Sequence, residues 1–564
     1  MTARPHIERR DPAVVMRLSR LGSLHQSRLS FMRILTRRMA REKWQFSRPV
    51  FDIGANGEGR AVYTTIGPER SYSLVAFAHD LPADQRSDRV IATAWDATFT
   101  LFDGVPSAAD LDRLAENIPY QEAGRVTESE LSVARANRSV RLWEHVVDAL
   151  AKGFQPDRQK IDKVGYLMRT TAVYGSGKLG AADREKIADR PEMRAPFQGE
   201  MLVVFLVRCF VRDLVEHMAK AKGGDQAVCL DPEIARSLGI GNSTGLGMAP
   251  FIINHPLLFN NWIAAREDAI LQVRSVKTAT QDEIAIFLDL LEKSDWSVQN
   301  WHSEHPIQIE KLEHLNRDLD ALNNHIASVG INSDFPWHAL LGWAETELGE
   351  EGQELLASLI LEPYGDLVDV FEENLAVTNA DAFQIDGSMS VADLRALIRN
   401  CFGWAFETEW DKKENCARAW YVSEEKLEPR LGERFDEPIA DYEQPLAPTR
   451  DACAAFATLE AWDDAATVAA FLLDHPEHRH TVRRAQISQI APYGEIRDNT
   501  IGSQVLPIDM LRAKLSFFGA THFDPRSDRW VRISMYGDAP YPEQLDASNC
   551  DYWVYPTSKP TVLA

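Results

Sequence analysis

Pro49-Val-Phe-Asp-Ile53, Gly54-Ala-Asn-Gly-Glu-Gly59 and Arg60-Ala-Val-Tyr-Thr-Thr-Ile66 follow one another without a break. Two runs of β-branched and aromatic residues flank an Asn56-Gly57 pair, the strongest short-range signal for a β-hairpin. Tyr72–Phe77, Arg89–Trp95 and Thr98–Phe102 continue in the same style and end at Asp103-Gly104. The stretch 49–103 therefore predicts a small antiparallel sheet packed on helices.

Upstream, Val14, Val15, Leu18 and Leu21, then Leu29, Met32, Leu35 and Met39, recur at helical spacing, with Gly22 as a point to kink or split the helix. Downstream, 106–375 reads as largely helical. Thr127-Glu-Ser-Glu130 has the form of a capping box for a helix reaching Lys152, and Asp157–Thr171 reads as another helix. Glu200–Lys222 is apolar on most sides, the mark of a central core helix. Further helices are predicted at Pro256–Arg274, Gln281–Glu292, Ile307–Ser328 and Trp337–Leu361. Leu427–Thr449, with many Pro and charged residues, reads as a linker. Ala452–Asp474 reads as helix, and Val482–Ile490 and Trp530–Tyr536 as strands. The sum is a helix-dominated α+β chain in three parts: 1–105, a basic helix and small antiparallel sheet; 106–375, a large central helical region; and 376–564, a mixed C-terminal region with short strands.

Composition limits what such a chain does. Its 564 residues, 45% hydrophobic and 26% charged, suit a large globular protein that needs no disulfide or metal to fold. No two of Cys209, Cys229, Cys401, Cys416, Cys453 and Cys550 form a C-x-x-C pair, so reduced thiols and a cytoplasmic location are expected. No secretory signal and no membrane span are expected, because Arg208, Arg212, Asp213 and Glu216 interrupt the richest apolar run. A net charge of −23 argues against broad nucleic-acid binding. Residues 1–48 nevertheless hold twelve Lys/Arg against Glu8, Asp11 and Glu42. That basic leader is expected to pack on the acidic body of its own chain or across a homodimer.

Two glycine-punctuated stretches carry the functional expectation. Gly239-Ile-Gly-Asn-Ser-Thr-Gly245-Leu-Gly247 offers backbone amides and the side chains of Asn242, Ser243 and Thr244 to an anion. No clear strand precedes it and its spacing is not that of a dinucleotide fingerprint. Arg169-Thr-Thr-Ala-Val-Tyr174-Gly-Ser176-Gly-Lys178 is not a phosphate loop, since Ala172 stands at the first glycine position and Leu179 follows the lysine. It still groups Arg169, Ser176, Tyr174 and Lys178, which suit a carboxylate or phosphate. Arg135 and Arg138, read as sharing a helix face around Asn137, are candidates to complete the pocket.

The expected activity is that of a metabolic enzyme on a small anionic substrate, of lyase, isomerase or transferase type. Lys178, Tyr174 and His522 are the candidate proton-transfer groups. Nothing names a cofactor. One alternative is a metal-dependent oxygenase or hydrolase using His302, Glu304 and His305, with His475-Pro-Glu477-His478-Arg-His480 as a second cluster. Neither cluster has zincin spacing, and Pro306 and Pro476 put both near helix ends. The other alternative is a non-catalytic protein that docks through its basic N-terminal helix.

Overall fold

A computed structural model of the chain describes residues 5–86, 94–120, 127–172, 187, 189–245, 255–301, 303, 305–376, 383–407, 409, 420–422, 429–431, 447–497, 507–520, 522–524 and 530–555. The chain divides into two compact units. One comprises Met1–Leu29, Gly245–Phe517 and Pro525–Val531, and the other Ser30–Thr244, Phe518–Asp524 and Arg532–Ala564. The fold is α+β and dominated by helices. Among the described residues no helix is long and apolar enough to cross a membrane.

The second unit is built on a sheet that begins with the expected hairpin, β1 (Gln45–Ile53) and β2 (Gly59–Ile66). Gly57, at φ +83°, takes the left-handed conformation that the Asn-Gly turn requires. β3 (Ser71–Ala78), β4 (Ala97–Asp103) and β5 (Glu130–Arg138) extend the sheet antiparallel. β6 (Tyr166–Thr170) pairs antiparallel with β5 and parallel with β7 (Gly239–Gly245). A separate two-stranded pair, β8 (Trp420–Val422) and β9 (Pro429–Leu431), belongs to the first unit, and β9 falls within the predicted linker. β10 (His522–Asp524) and β11 (Trp530–Met535) close the large sheet in the order β1-β2-β3-β4-β5-β6-β7-β11-β10.

Both faces of this sheet are covered, which is why β3 is buried at nearly every position rather than alternating. The 26-residue helix Gln198–Gly223 lies on one face, where Phe210 meets Tyr63 and Phe99 edge-on and Phe205 meets Phe46. It is the core helix its composition predicts, and it lies within the long crossover that connects the parallel strands β6 and β7. On the other face, Leu111, Leu114 and Ile118 pack on Val62, Val75, Phe77 and Phe102.

Arg208 of the core helix is 2% exposed yet needs no counter-ion: its guanidinium donates to the carbonyls of Leu238, Ala539 and Arg236 and lies 4.0 Å from the Tyr541 ring centroid. Burial also pushes the Cys209 thiol up to about 12, so this cysteine is packing and not a nucleophile.

The first unit is helical. Pro256–Arg274 and Pro306–Val329 form close to the predicted limits, while the helix predicted to stop at Glu292 runs on as Gln281–Gln299, capped reciprocally by Thr280 and Glu283. The predicted Trp337–Leu361 helix is two, Pro336–Glu347 and Glu350–Leu359. A further group, Val391–Phe402, Ala447–Glu460, Val468–Asp474 and Arg479–Ile490, surrounds its own core of Leu394, Ile398, Phe402, Phe456, Leu459, Phe471 and Val482.

Several elements differ from the sequence reading. Glu130 does accept hydrogen bonds from the Thr127 amide and hydroxyl, but this turn opens strand β5 and not a helix. Such a motif satisfies the backbone of one turn and does not dictate the element after it. Asp157 caps a helix that stops at Val164; Gly165, at φ +76°, ends it, and Tyr166–Thr170 is strand. Val482–Ile490 is helical, because Val482, Ala485 and Gln486 share the buried side of Arg479–Ile490. The single leader helix is broken into Pro12–Val15, Leu18–Leu21 and Phe31–Arg41.

Candidate functional site

Residues directly opposite one another on neighbouring strands share a face, and so do positions two apart along a strand. Arg135 on β5 is opposite Thr98 on β4, and Asn137 is opposite Arg169 on β6. Arg135, Asn137, Thr98 and Arg169 therefore lie on one face of the sheet. Arg135 and Arg169 are diagonal neighbours, with Cα atoms roughly 7–8 Å apart for such a pair. Arg135 and Arg169 are each 6% exposed, Asn137 is 3% and Thr98 is fully buried. Both arginines are thus held out of solvent on neighbouring strands of one face.

The floor beneath Arg169 explains the glycines of 239–245. Arg169 pairs with Gly241 across the parallel β6–β7 ladder. A Cβ at Gly241 would lie 2.7 Å from Arg169 Cγ and 2.6 Å from Tyr166 Cγ, and one at Gly239 would lie 2.3 Å from the Met535 carbonyl oxygen. The glycines suggest a loop in the sequence; the stretch is a strand, and they admit neighbouring side chains and backbone rather than a turn.

Around Arg135 the groups are aromatic and hydroxylic. Its guanidinium carbon sits 4.1 Å from the Trp95 ring centroid, a cation–π distance. The Arg135 amide donates to Thr171 Oγ1, and its carbonyl accepts from Thr170 Oγ1 and the Thr171 amide. Two buried polar atoms beside it, Thr98 Oγ1 and Trp95 Nε1, have no hydrogen-bond partner among the described residues. Buried polar groups are nearly always satisfied, so such atoms mark a place where a water or ligand is needed.

Arg138 does not join this face. Helical spacing would make residues 135 and 138 neighbours, but on a strand an odd separation sends them to opposite sides. Arg138 sits over Trp143, with its Nε 3.7 Å from Asp96 Oδ1 and its Nη1 3.8 Å from Asp80. Burial draws its guanidinium below the usual value, only partly offset by Asp96. Asp96, fully buried, accepts from the Arg138 amide and from Arg86 Nε, while its own amide donates to Asn137 Oδ1. Asp96 therefore fixes the ends of β4 and β5 and orients Asn137; no sequence signal singled it out.

Asn242 is buried on β7, and Ser243 and Thr244 continue the same strand. His522 starts β10 opposite Ser534. Tyr174, Ser176, Lys178, His302 and Glu304 lie outside the described residues, as does most of the predicted 89–95 strand. His305 is the N-cap of Pro306–Val329, its amide donating to Ser303 Oγ.

The first unit contains a second concentration of charge, and it accounts for part of the basic leader. Arg10 grips Glu267 through Nε and Nη2 at 2.8 and 2.6 Å and reaches Glu354 at 2.6 Å. Arg20 and Arg266 also contact Glu354, and Arg28 binds Asp369. Burial works to raise the Glu354 carboxyl, but Arg10, Arg266 and Arg20 together hold it well below the usual range. Nearby, His25 stacks on Trp301 and lies 3.6 Å from Glu351, which also binds Arg512. Burial opposes ionisation of Glu351, yet Arg512 and His25 bring its pKa down to about 2. His25 is a lone histidine in its stretch of sequence, so nothing there signalled this cluster.

The chain matches no protein-family model, no curated protein and no solved structure.

Proposed function

We propose that the chain is a metabolic enzyme that binds a small carboxylate or phosphate over the sheet face carrying Arg135 and Arg169. The observation that carries this reading is the parallel pairing of β6 with β7, which sets Arg169 over Gly241 one strand away from Arg135. Parallel strands release their chain at the same end. Arg169 and the Gly241–Thr244 stretch thus lie at the C-terminal ends of neighbouring strands, where open α/β sheets bind ligands.

In this reading Arg135 and Arg169 bind the anion, Trp95 backs the Arg135 guanidinium, and Asn137 and Thr98 supply further polar contacts; on β7 the alternation puts Ser243 in step with Gly241 on this face and Asn242 and Thr244 on the other. Tyr174, Lys178 or His522 transfers the proton of a lyase, isomerase or transferase step. The docking alternative is weakened because Arg10, Arg20 and Arg28 are spent on internal carboxylates.

The test is a thermal-shift titration of the full chain with inorganic phosphate, succinate and citrate against chloride at matched ionic strength. A ligand present at 100 times its Kd stabilises by about 2.7 kcal/mol. At least one anion is expected to raise the melting temperature, and Arg135→Met and Arg169→Met are each expected to abolish the rise. If no anion exceeds the chloride control, or if both variants respond as the native chain does, the reading is wrong.

A further inference from the structure

The turn that joins two helices of the first unit brings three metal-binding side chains to one point. His475 ends the helix Val468–Asp474, Pro476–His478 forms a single 3-10 turn, and Arg479–Ile490 comes next. His475 Nδ1 lies 3.1 Å from Glu477 Oε1, and His478 Nε2 lies 3.9 Å from the same oxygen. One donor atom from each residue falls within 4.8 Å of the others. A tetrahedral zinc ion with bonds of 2.0–2.1 Å holds its ligands roughly 3.3–3.4 Å apart. Small side-chain rotations take the three donors to that spacing.

We infer that His475, Glu477 and His478 form a binding site for a divalent transition-metal ion of the zinc class. Two imidazoles and one carboxylate are the donors such ions prefer over calcium or magnesium, which seek oxygen alone. The side chains are held by their surroundings. Phe471 lies parallel to the His478 ring at 5.9 Å, and Trp462 meets the His475 ring at the same separation. The backbone of the turn is fixed by His475 and His478 amides donating to the Phe471 and His475 carbonyls.

His478 Nε2 is 3.1 Å from Thr458 Oγ1, so the ion takes the place of that contact. His475 and Glu477 keep 31% and 60% of their side chains exposed, which leaves the remaining coordination position to water. The site bridges Val468–Asp474 and Arg479–Ile490 beside Thr458 of the helix before them. An ion there would fasten this helical group independently of the arginine-bearing sheet, and the inference does not rest on the proposed function.

The experiment uses untagged full chain stripped with EDTA. Zinc is titrated by calorimetry, and cobalt(II) is followed by its visible absorption, which is intense only in four-coordinate sites. One equivalent of zinc is expected to bind, with a tetrahedral cobalt spectrum and a higher melting temperature. His475→Asn and His478→Asn should each weaken binding by at least about tenfold, the scale on which even indirect metal contacts act, and Glu477→Gln should weaken it as well. The His475→Asn and Glu477→Gln variants should melt like the native chain in EDTA, because those two side chains are partly exposed. Absence of stoichiometric binding overturns the inference. So does undiminished binding in the His475→Asn/His478→Asn double variant, which would put the ion on another group of histidines.

Discussion

Replacing Glu354 by Gln tests whether the buried charge cluster holds the first unit together. Glu354 has no exposed side-chain surface and is shared by three guanidiniums, with Arg10 at 2.6 Å, Arg266 at 2.8 Å and Arg20 at 2.9 Å. Gln keeps the shape and one acceptor oxygen but removes the charge and turns an NH2 toward three cations. Arg10 retains Glu267; Arg266, 1% exposed, retains Glu267 only at 3.5 Å. Removing one member of a buried ion pair costs about 3–5 kcal/mol, because the charge left behind is desolvated without compensation. For a unit of about 310 residues, unfolding entropy near 2.1 cal/mol/K per residue gives about 1.5 °C per kcal/mol, so the loss corresponds to a fall of roughly 5–8 °C in the melting temperature. The assay is calorimetry at neutral pH, with amide exchange of the Pro256–Arg274 helix to show that the loss falls in this unit. A Glu354→Gln chain that melts within about 2 °C of the native one, on that same scale, would refute the argument, since it would mean that water reaches the cluster and screens it.

Acidification should weaken the same unit in two stages. His25 is pushed by burial below its ordinary 6.5, so the folded state resists the proton that the unfolded chain takes up; stability is full above that pH and declines beneath it. Glu351, held at about 2 against an ordinary 4.5, contributes about 3 kcal/mol above pH 4.5, and this is lost as the pH falls toward 2. Urea midpoints measured from pH 7.5 to 3.5 should therefore drop, and His25→Gln should remove the first stage and shrink the second, because His25 is one of the groups that hold Glu351 down; a native profile flat to pH 4 would contradict both assignments. Arg208→Met should cost about 3 kcal/mol or more, because charged hydrogen bonds to three buried carbonyls are lost together and the acceptors stay unpaired; an unchanged melting curve would show that water replaces the guanidinium. Gly241→Ala should move Arg169, since the new methyl would fall 2.7 Å from Arg169 Cγ, and should thereby reduce any phosphate-induced thermal shift; an intact shift would separate β7 from ligand binding.

The sequence by itself determined the elements whose signals are local. Asn56-Gly57 between two β-prone runs specifies a hairpin because only a few residues tolerate its backbone angles. The apolar girth of Gln198–Gly223 specifies a core helix because nothing else removes so many large side chains from water. The charges of the leader likewise announced acidic partners, and for Arg10, Arg20 and Arg28 those partners proved to be carboxylates more than 200 positions away in the chain. Arg135 and Arg169 were recognised as candidates, but their relation was not. Whether residues 135 and 138 share a face depends on a period of two or of 3.6, and a short polar segment such as Ser132–Arg138 carries too few apolar residues to reveal which applies.

Only the tertiary structure decided that Gly239–Gly245 is a strand. A glycine's effect depends on what comes near it, and here that is Met535, Tyr166 and Arg169, contributed by strands from elsewhere in the chain. For the same reason Asp96, His25 and the meeting of His475, Glu477 and His478 at one point were settled by packing: a side chain's chemistry is written in the sequence, but its neighbours are chosen by the fold.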